Sequence, residues 1–397
     1  MSNGWPLVPM EEIFEIARGG SPRPIDSFLT DDPDGVNWVM ISDATESGKY
    51  INSTKKRIRE EGVKRSRVVQ PGDFLLTNSM SFGRPYIMNT SDCIHDGWLV
   101  LSPRHQNVSP DFFYHLLGSD FVYAEFVRRA AGATVKNLNI DLVKGVRVPL
   151  PPLEEQRRIA NVLDRAEALQ VKRRAAIAQL DILTQFIFLD LFGDPATNPK
   201  GWVMGALGAN FDLKNGINFS ADQKGRGILT VDVLNMYSDD IYVRATDLYR
   251  VDVSISEERL LVPGDLLFVR SSVKQEGVAW PAIFFGHSEP VTYCGFLIRA
   301  RSIIDRGLFD SRFLVHYLRQ PSVRQQLVAR AGKVAITNIN QERLSSLLIP
   351  VPPLPLQRDF SRRIAAVENL KIAHRSALSE LEALFASLRH RAFRGEL

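Results

Sequence analysis

The feature that most constrains this chain is that part of it is written twice. Residues 137–192, shifted by 201 positions, lie on 338–393 without a gap, and 15 of those 56 positions are identical, where composition alone gives about 3. The anchor is Pro149 to Arg157, matched by Pro350 to Arg358, and upstream of it Asn137-Leu138-Asn139 matches Asn338-Ile339-Asn340. Further back, Pro71-Gly72-Asp73 echoes Pro263-Gly264-Asp265 at a shift of 192, and Gly4-Trp5 echoes Gly201-Trp202 at 197. The shift changes only outside the anchor, so two globular modules have diverged in loop length while the segments after each proline motif have not. Such an internal repeat restricts the fold to two like halves, and 397 residues exceed what one growing core supports.

Each proline motif opens a stretch free of further Pro or Gly beyond its first turn, up to Gly193 and Gly395, which predicts a long helix. The first, about Glu154 to Phe192, measures roughly 58 Å at 1.5 Å per residue. Its apolar positions step 4,3,4,3: Val162, Ala166, Leu169, Arg173, Ala176, Leu180, Leu183, Ile187, with Arg363, Val367, Leu370, His374, Ala377, Leu381, Leu384, Leu388 in the copy. That is a coiled-coil seam. Antiparallel pairing sets Arg173 against Ala377 and His374 against Ala176, large against small; either these polar residues fix the register or they snorkel to solvent.

The modules lack that period. Residues 36–41, 74–77, 98–101, 266–269, 282–285 and 296–298 read as short strands between turn signals, Ser109-Pro110-Asp111 as a capped helix start, and 121–131 as a second helix. The expected fold class is α+β, with two mostly β modules separated by two long antiparallel coiled-coil helices. The segments are 1–148, 149–196, 197–349 and 350–397.

Composition bears on function chiefly by exclusion. Hydrophobic residues make 45% and charged residues 24%, the balance of a folded soluble chain. Cys93 and Cys294 are the only cysteines, too few for a disulfide framework or a four-cysteine zinc site. No secretory leader pattern and no run near 18 uninterrupted apolar residues is present, so a cytoplasmic location without membrane association is expected. A phosphate loop, a dinucleotide fingerprint, an amino-methyltransferase loop, a hydrolase triad and a nuclease motif are all missing. The chain therefore reads as non-catalytic, with no cofactor or metal of its own.

Forty-nine Lys and Arg against 45 Asp and Glu leave a formal charge of +4, which permits nucleic-acid binding without requiring it. Distribution is more telling. Between Asn52 and Val68 stand Lys55, Lys56, Arg57, Arg59, Lys64, Arg65 and Arg67 against two glutamates; this suits either a phosphate backbone or a solvated hairpin edge. After the matched strands come Asn78-Ser79-Met80-Ser81-Phe82-Gly83-Arg84 and Arg270-Ser271-Ser272-Val273-Lys274. These are base-edge readers or ordinary polar loops. Gly132 to Asn137 and Gly332 to Asn338, with Lys136, Lys333 and Thr337, suit close approach to phosphate and a helix C-cap equally.

The layout resembles the specificity subunit of type I restriction-modification systems over nearly the whole chain. The resemblance rests on Pro149 to Ile159 and its copy, Leu191 to Trp202, Gly19-Gly20-Ser21-Pro22, the two Pro-Gly-Asp motifs and the terminal Ala392 to Leu397. In the second half Gly216-Ile217-Asn218 stands for Gly20-Ser21-Pro22, and Pro355-Leu356 for Glu154-Glu155. The resemblance implies two target-recognition domains, each reading one half of a bipartite double-stranded DNA site. It also implies partners that do the chemistry: methyltransferase subunits, two per complex, using S-adenosylmethionine, and an endonuclease and translocase subunit using ATP and Mg. Candidate DNA contacts are Ser21, Arg23, Lys55, Lys56, Arg57, Asn78, Ser79, Ser81, Arg84, Lys136, Lys214, Asn218, Arg270, Ser271, Ser272, Lys274, Lys333 and Thr337. A competing reading, a coiled-coil scaffold with two protein-binding heads, explains the helices but not the basic stretch.

Overall fold

The computed structural model describes residues 4–78, 82–129, 137–238, 240–303, 308–330 and 337–397. The chain divides into two compact units, Met1–Ala175 with His374–Leu397, and Ala176–Ala373. The helical segments set apart in the sequence are thus divided between units, each globular module keeping a piece of both long helices.

In unit 1 one sheet runs Phe14–Arg18, Trp98–Pro103, Phe74–Thr77, Pro85–Met88, Tyr50–Ile51. Its central strands are apolar at consecutive steps, Phe74 to Leu76 and Trp98 to Leu101, because both faces are covered. Phe74, Leu76, Leu99 and Leu101 face a core with Phe112, Phe113, Phe126, Ile159, Leu163 and Ala392. Leu75, Trp98 and Val100 face the other way, onto Val39, Val69 and Ile94 of a second sheet, ordered Leu29–Thr30, Lys56–Ile58, Val36–Val39, Asp92–Ile94, Arg67–Val69. Unit 2 repeats the plan. Leu266, Phe268, Ile298 and Ala300 face Phe188, Phe192, Phe313 and Phe360, while Leu267, Val269 and Leu297 face Val231, Val291 and Tyr293.

Several local expectations shift. The strand expected at 36–41 stops at Val39, and Ile41–Ser47 is helical because the Asp43 carboxylate accepts the Met40 amide at 3.0 Å and so opens a helix. The strands expected at 282–285 and 296–298 are Pro281–Ile283 and Leu297–Ser302. The second helix of the first module is Asp120–Arg129. Ser109 caps its helix, accepting the Phe112 amide. Duplicated motifs fold alike. Gly72 and Gly264 both have φ +93°, a left-handed position glycine occupies freely, and Asp73 and Asp265 each accept an amide three residues back, at 2.8 and 2.9 Å. Asn139 and Asn340 cap equivalent short helices at 2.8 and 2.9 Å.

The long helices are Leu153–Phe192 and Leu354–Ala392, closed by Gly193 and Gly395 at φ +78° and +71°. Within unit 1 their segments run antiparallel: Gln170 Nε2 donates to the Leu381 carbonyl at 3.2 Å, and Arg158 Nη2 to that of Leu397 at 2.9 Å. Arg174 pairs with Glu382 there at 2.6 Å, and Lys371 with Asp181 in unit 2 at 2.7 Å. The seam departs from its expected form. Arg173 does not face Ala377; its Nη1 lies 3.0 Å from His374 Nδ1, so equivalent repeat positions meet each other. Because a guanidinium can only donate, that ring nitrogen is the acceptor. Ala166 and Val367 are buried, but Leu169, Leu370 and Leu384 stay half exposed, leaving apolar side chains uncovered on both helices. One window of Leu153–Phe192 is long and apolar enough to cross a membrane by composition alone, yet its Phe188 and Phe192 lie in the unit 2 core.

Candidate nucleic-acid interface

In each module three loops converge on one frame of backbone bonds. The Gly19 amide donates to the Trp98 carbonyl and Gly20 to Ile94, at 2.9 and 3.2 Å; in unit 2 Gly216 donates to Leu297 and Ile217 to Tyr293, both at 3.0 Å. The Asn78 amide donates to Gly97 at 3.1 Å, and Arg270 to Phe296 at 2.7 Å. Leu138 and Ile339 then donate to the carbonyls of Asn78 and Arg270, at 2.8 and 2.9 Å. Gly19 and Gly216 are glycines for one reason: a Cβ would lie 2.0 Å from the His95 carbonyl oxygen, or 2.1 Å from that of Cys294. The frame fixes the correspondence of the loops. Gly216 matches Gly19 rather than Gly20, a one-residue correction to the sequence alignment. Ser21 then matches Asn218, Asn78 matches Arg270, and Asp96-Gly97 matches Gly295-Phe296.

On this common frame the side chains differ. In unit 1 Ser21 Oγ donates to Asp96 Oδ1 at 2.7 Å and Arg23 Nη2 to Oδ2 at 3.2 Å. The Asp96 carbonyl accepts from Asn78 Nδ2 at 2.8 Å and Arg18 Nε at 3.0 Å. The Ser21 hydrogen bond above all, with the Arg23 charge behind it, holds the Asp96 carboxyl below the usual carboxylate range. Arg67 Nε donates to the Arg18 carbonyl at 2.8 Å, and a Cβ on Gly20 would touch the Arg65 carbonyl at 2.8 Å. The loops thus gather Ser21, Arg23, Asn78 and Arg18 around Asp96, with Arg67 bonded behind Arg18 and the Arg65 guanidinium turned onto the Phe28 ring at 5.6 Å. Asp96 and Arg18 are absent from the sequence-based candidates.

In unit 2 Arg270 Nη1 donates to the Gly295 carbonyl at 3.2 Å. A Cβ on Gly295 would fall 2.0 Å from Asn218 Oδ1, so the amide occupies the space that the Asp96 side chain takes in unit 1. Ser271–Ser272 pairs antiparallel with Thr337–Asn338, bringing the second loop to the Thr337 strand, and Ser271 Oγ bonds Asn338 Oδ1. Ser271, Ser272 and Lys274 line an open cavity of about 800 Å³ together with Tyr237, Trp280 and Phe296. Arg319 and Arg324 lie 4.6 and 5.3 Å over the Trp280 ring. Val273 and Phe296 are 88% and 60% exposed.

The remaining candidates scatter. Lys56 and Arg57 lie on a strand flanked on both sides, whereas Arg67–Val69, at the other end of the basic stretch, is an edge strand of the same sheet; Lys55 pairs with Glu46 at 2.6 Å. The strand of Lys56 and Arg57 is two places from Asp92–Ile94 in the sheet. Arg84 lies 5.3 Å over the Tyr86 ring. Lys214 is tied to Glu258 at 2.5 Å. Ser79, Ser81, Lys136 and Lys333 fall outside the described residues. Among the described residues one group could gather metal-ligating atoms: His115, Asp164 and Glu167, within 4.8 Å. Lys49 already sits there, 2.8 Å from Asp164 and 2.6 Å from Asp111, and its ammonium supplies the positive charge.

Residues 2–179 match the family model described as the type I restriction modification DNA specificity domain. Relatives align over the whole chain: the type I restriction enzyme StySPI specificity subunit of Salmonella potsdam is 22% identical, with 90% of its length covered. Over residues 2–179 the chain is thus similar to the type I restriction-modification specificity domain, and its full-length relatives are specificity subunits. The EcoKI specificity subunit of Escherichia coli K12 is 24% identical, again over all of this chain and 90% of the relative. The family fold is matched by a solved chain from a study of complex assembly and conformational transition of the type I R-M system. That match has a TM-score of 0.61 and 21% identity, covering 100% of this chain and 99% of the other. The type I restriction-modification S subunit from M. genitalium gives 0.54 and 15%, covering 99% and 97%. Within this chain, the duplicated frame with unlike side chains is the feature on which a functional reading turns.

Proposed function

We propose that the chain is the non-catalytic DNA sequence-recognition subunit of a type I restriction-modification complex in the cytoplasm, each module reading one half of a bipartite target. The observation that carries this is the frame. Two modules hold equivalent loops by the same backbone bonds yet present Ser21, Asn78 and Asp96 in one and Asn218, Arg270 and Phe296 in the other. Base edges are read by side chains of these kinds, and a fixed scaffold with exchanged readers gives two specificities from one fold. Partner subunits then supply the chemistry: two methyltransferase subunits with S-adenosylmethionine, and an endonuclease and translocase with ATP and Mg. The exposed Leu169, Val171, Leu370 and Ile372 suit helix docking by such subunits.

The test replaces residues 1–148 with the corresponding module of another family member and maps methylated bases in cells. One half of a split target should change and the other stay fixed; a change in both halves, or in neither, refutes the reading. The apolar cavity bounded by Tyr237, Trp280 and Phe296 favours a second reading, a scaffold with protein-binding heads. Salt-independent or absent DNA binding by the full chain would support it instead.

A further inference from the structure

Resting on the DNA-recognition reading, we infer that Asp96 is a specificity-determining residue, its carboxylate accepting a hydrogen bond from the exocyclic amino group of cytosine or adenine in the major groove. A carboxylate beside Arg18 and Arg23 works against phosphate binding, so its presence calls for a task that a neutral or basic side chain cannot perform. Its geometry is that of a reader. Its oxygens accept from Ser21 and Arg23 and from its own backbone amide, and an ionised carboxylate with about four lone-pair sites has room for a further donor. The side chain is 42% exposed, while the main chain beneath it is held by Asn78 and Arg18. Position and orientation are set before any ligand arrives, and acceptors on acidic side chains select the amino edge of a base. The second module makes the comparison internal. There the matching residue is Gly295, and the Asn218 amide, able to donate as well as accept, fills the vacated space. One module therefore presents an acceptor that can only accept, and the other does not.

The test is selection of duplexes from a randomised library by the full chain, comparing wild type with Asp96→Asn, Arg23→Ala and the double variant. Asp96→Asn should lose about tenfold or more of the preference at one base pair of one half-site and leave the other half-site unchanged. Three outcomes overturn the assignment. An unchanged profile removes any reading role. A uniform gain of affinity for all duplexes makes Asp96 a charge that tempers phosphate binding. Equal changes in Arg23→Ala, Asp96→Asn and the double variant make it a positioning residue for Arg23. Should Asp96→Asn fail to fold, wild-type chain decides the matter on selected duplexes in which 2-pyrimidinone replaces cytosine, or purine replaces adenine, at each position. An about tenfold loss at one position is expected, and undiminished binding throughout overturns the proposal. Enrichment of no sequence by the wild type would instead sink the underlying DNA-recognition reading.

Discussion

Gln156 and Gln357 make the same three hydrogen bonds, one set in each unit. Gln156 Oε1 accepts the Ser109 amide at 2.9 Å, and its Nε2 donates to the carbonyls of Asn107 and Pro151 at 3.0 and 2.9 Å. Gln357 Oε1 accepts the Asp310 amide at 2.9 Å, and its Nε2 donates to Leu308 and Pro352 at 2.9 and 2.7 Å. Both side chains are buried, and each ties a long helix to the capped helix of its module.

Gln156→Ala leaves three buried backbone groups without this partner and should cost about 2–4 kcal/mol of stability. Gln156→Glu should cost at least as much despite its equal size, because an acceptor then faces two carbonyls. Denaturant unfolding of the full chain measures both, and a Glu variant as stable as wild type would show that the bonds do not hold the junction.

Arg173 and His374 occupy a seam whose other positions, Arg363 apart, are apolar, where polar residues fix register at a cost in stability. Replacing both with Leu should raise the unfolding free energy by about 1 kcal/mol, whereas either single replacement should be neutral or destabilising. Melting of the three variants against wild type checks this, and a destabilised double variant would make the pair a net contributor.

His316 has 14% of its side chain exposed and lies 3.9 Å from Glu368. Burial pushes its ring below the ordinary histidine value of 6.5, a shift opposed by Glu368 and reinforced by the charges of Arg319 and Lys371. A depressed folded-state value means that the unfolded chain binds more protons once the pH falls below 6.5. Stability is thus fully present above 6.5 and declines as the pH falls toward the folded value. His316→Phe, which keeps an edge-on ring against Phe360, should remove this component of the acid limb. Between pH 8 and pH 5 the melting midpoint of the wild type should fall by more than that of the variant, and parallel curves would contradict the assignment.

Phosphate and base contacts separate by salt. If the basic strand grips the backbone, Lys55, Lys56 and Arg57 changed together to Ala should lower affinity for cognate and non-cognate duplexes alike. The log-log salt slope should drop by about 0.9 per lost contact, up to about 2 with Lys55 engaged by Glu46. Arg270→Ala should instead weaken only cognate binding, by about 1–3 kcal/mol, through the second half-site. Filter binding across a salt series distinguishes them, and an unaltered slope after the triple change removes the strand from the interface.

Much of the fold is legible in the sequence because the repeat is local and in register: the proline motifs, both helices and the paired Asn caps lie where the matched residues put them. The modules' cores are legible as apolar runs. Loop convergence is not, since Ser21 and Asp96 are 75 residues apart and nothing periodic joins them. Asp96 escapes a search for basic and amide readers because it carries the opposite charge. A usable signal existed for the glutamines, a polar residue identical in both copies at the entry of an apolar helix. The half-exposed seam leucines were misjudged because spacing alone does not say whether a partner helix covers every step.

The way the units share the long helices has a consequence for the order of synthesis. The core of unit 1 includes Ala392 and is flanked by Phe393 and Leu397, residues made after the whole of unit 2. The first module to leave the ribosome is therefore among the last to be finished. Until its closing helix arrives, Ile159 and Leu163 face solvent beside an incomplete core, the kind of exposed apolar surface on which nascent chains aggregate. A ribosome stalled anywhere in unit 2 releases a chain whose amino-terminal half is fully translated and still unable to close.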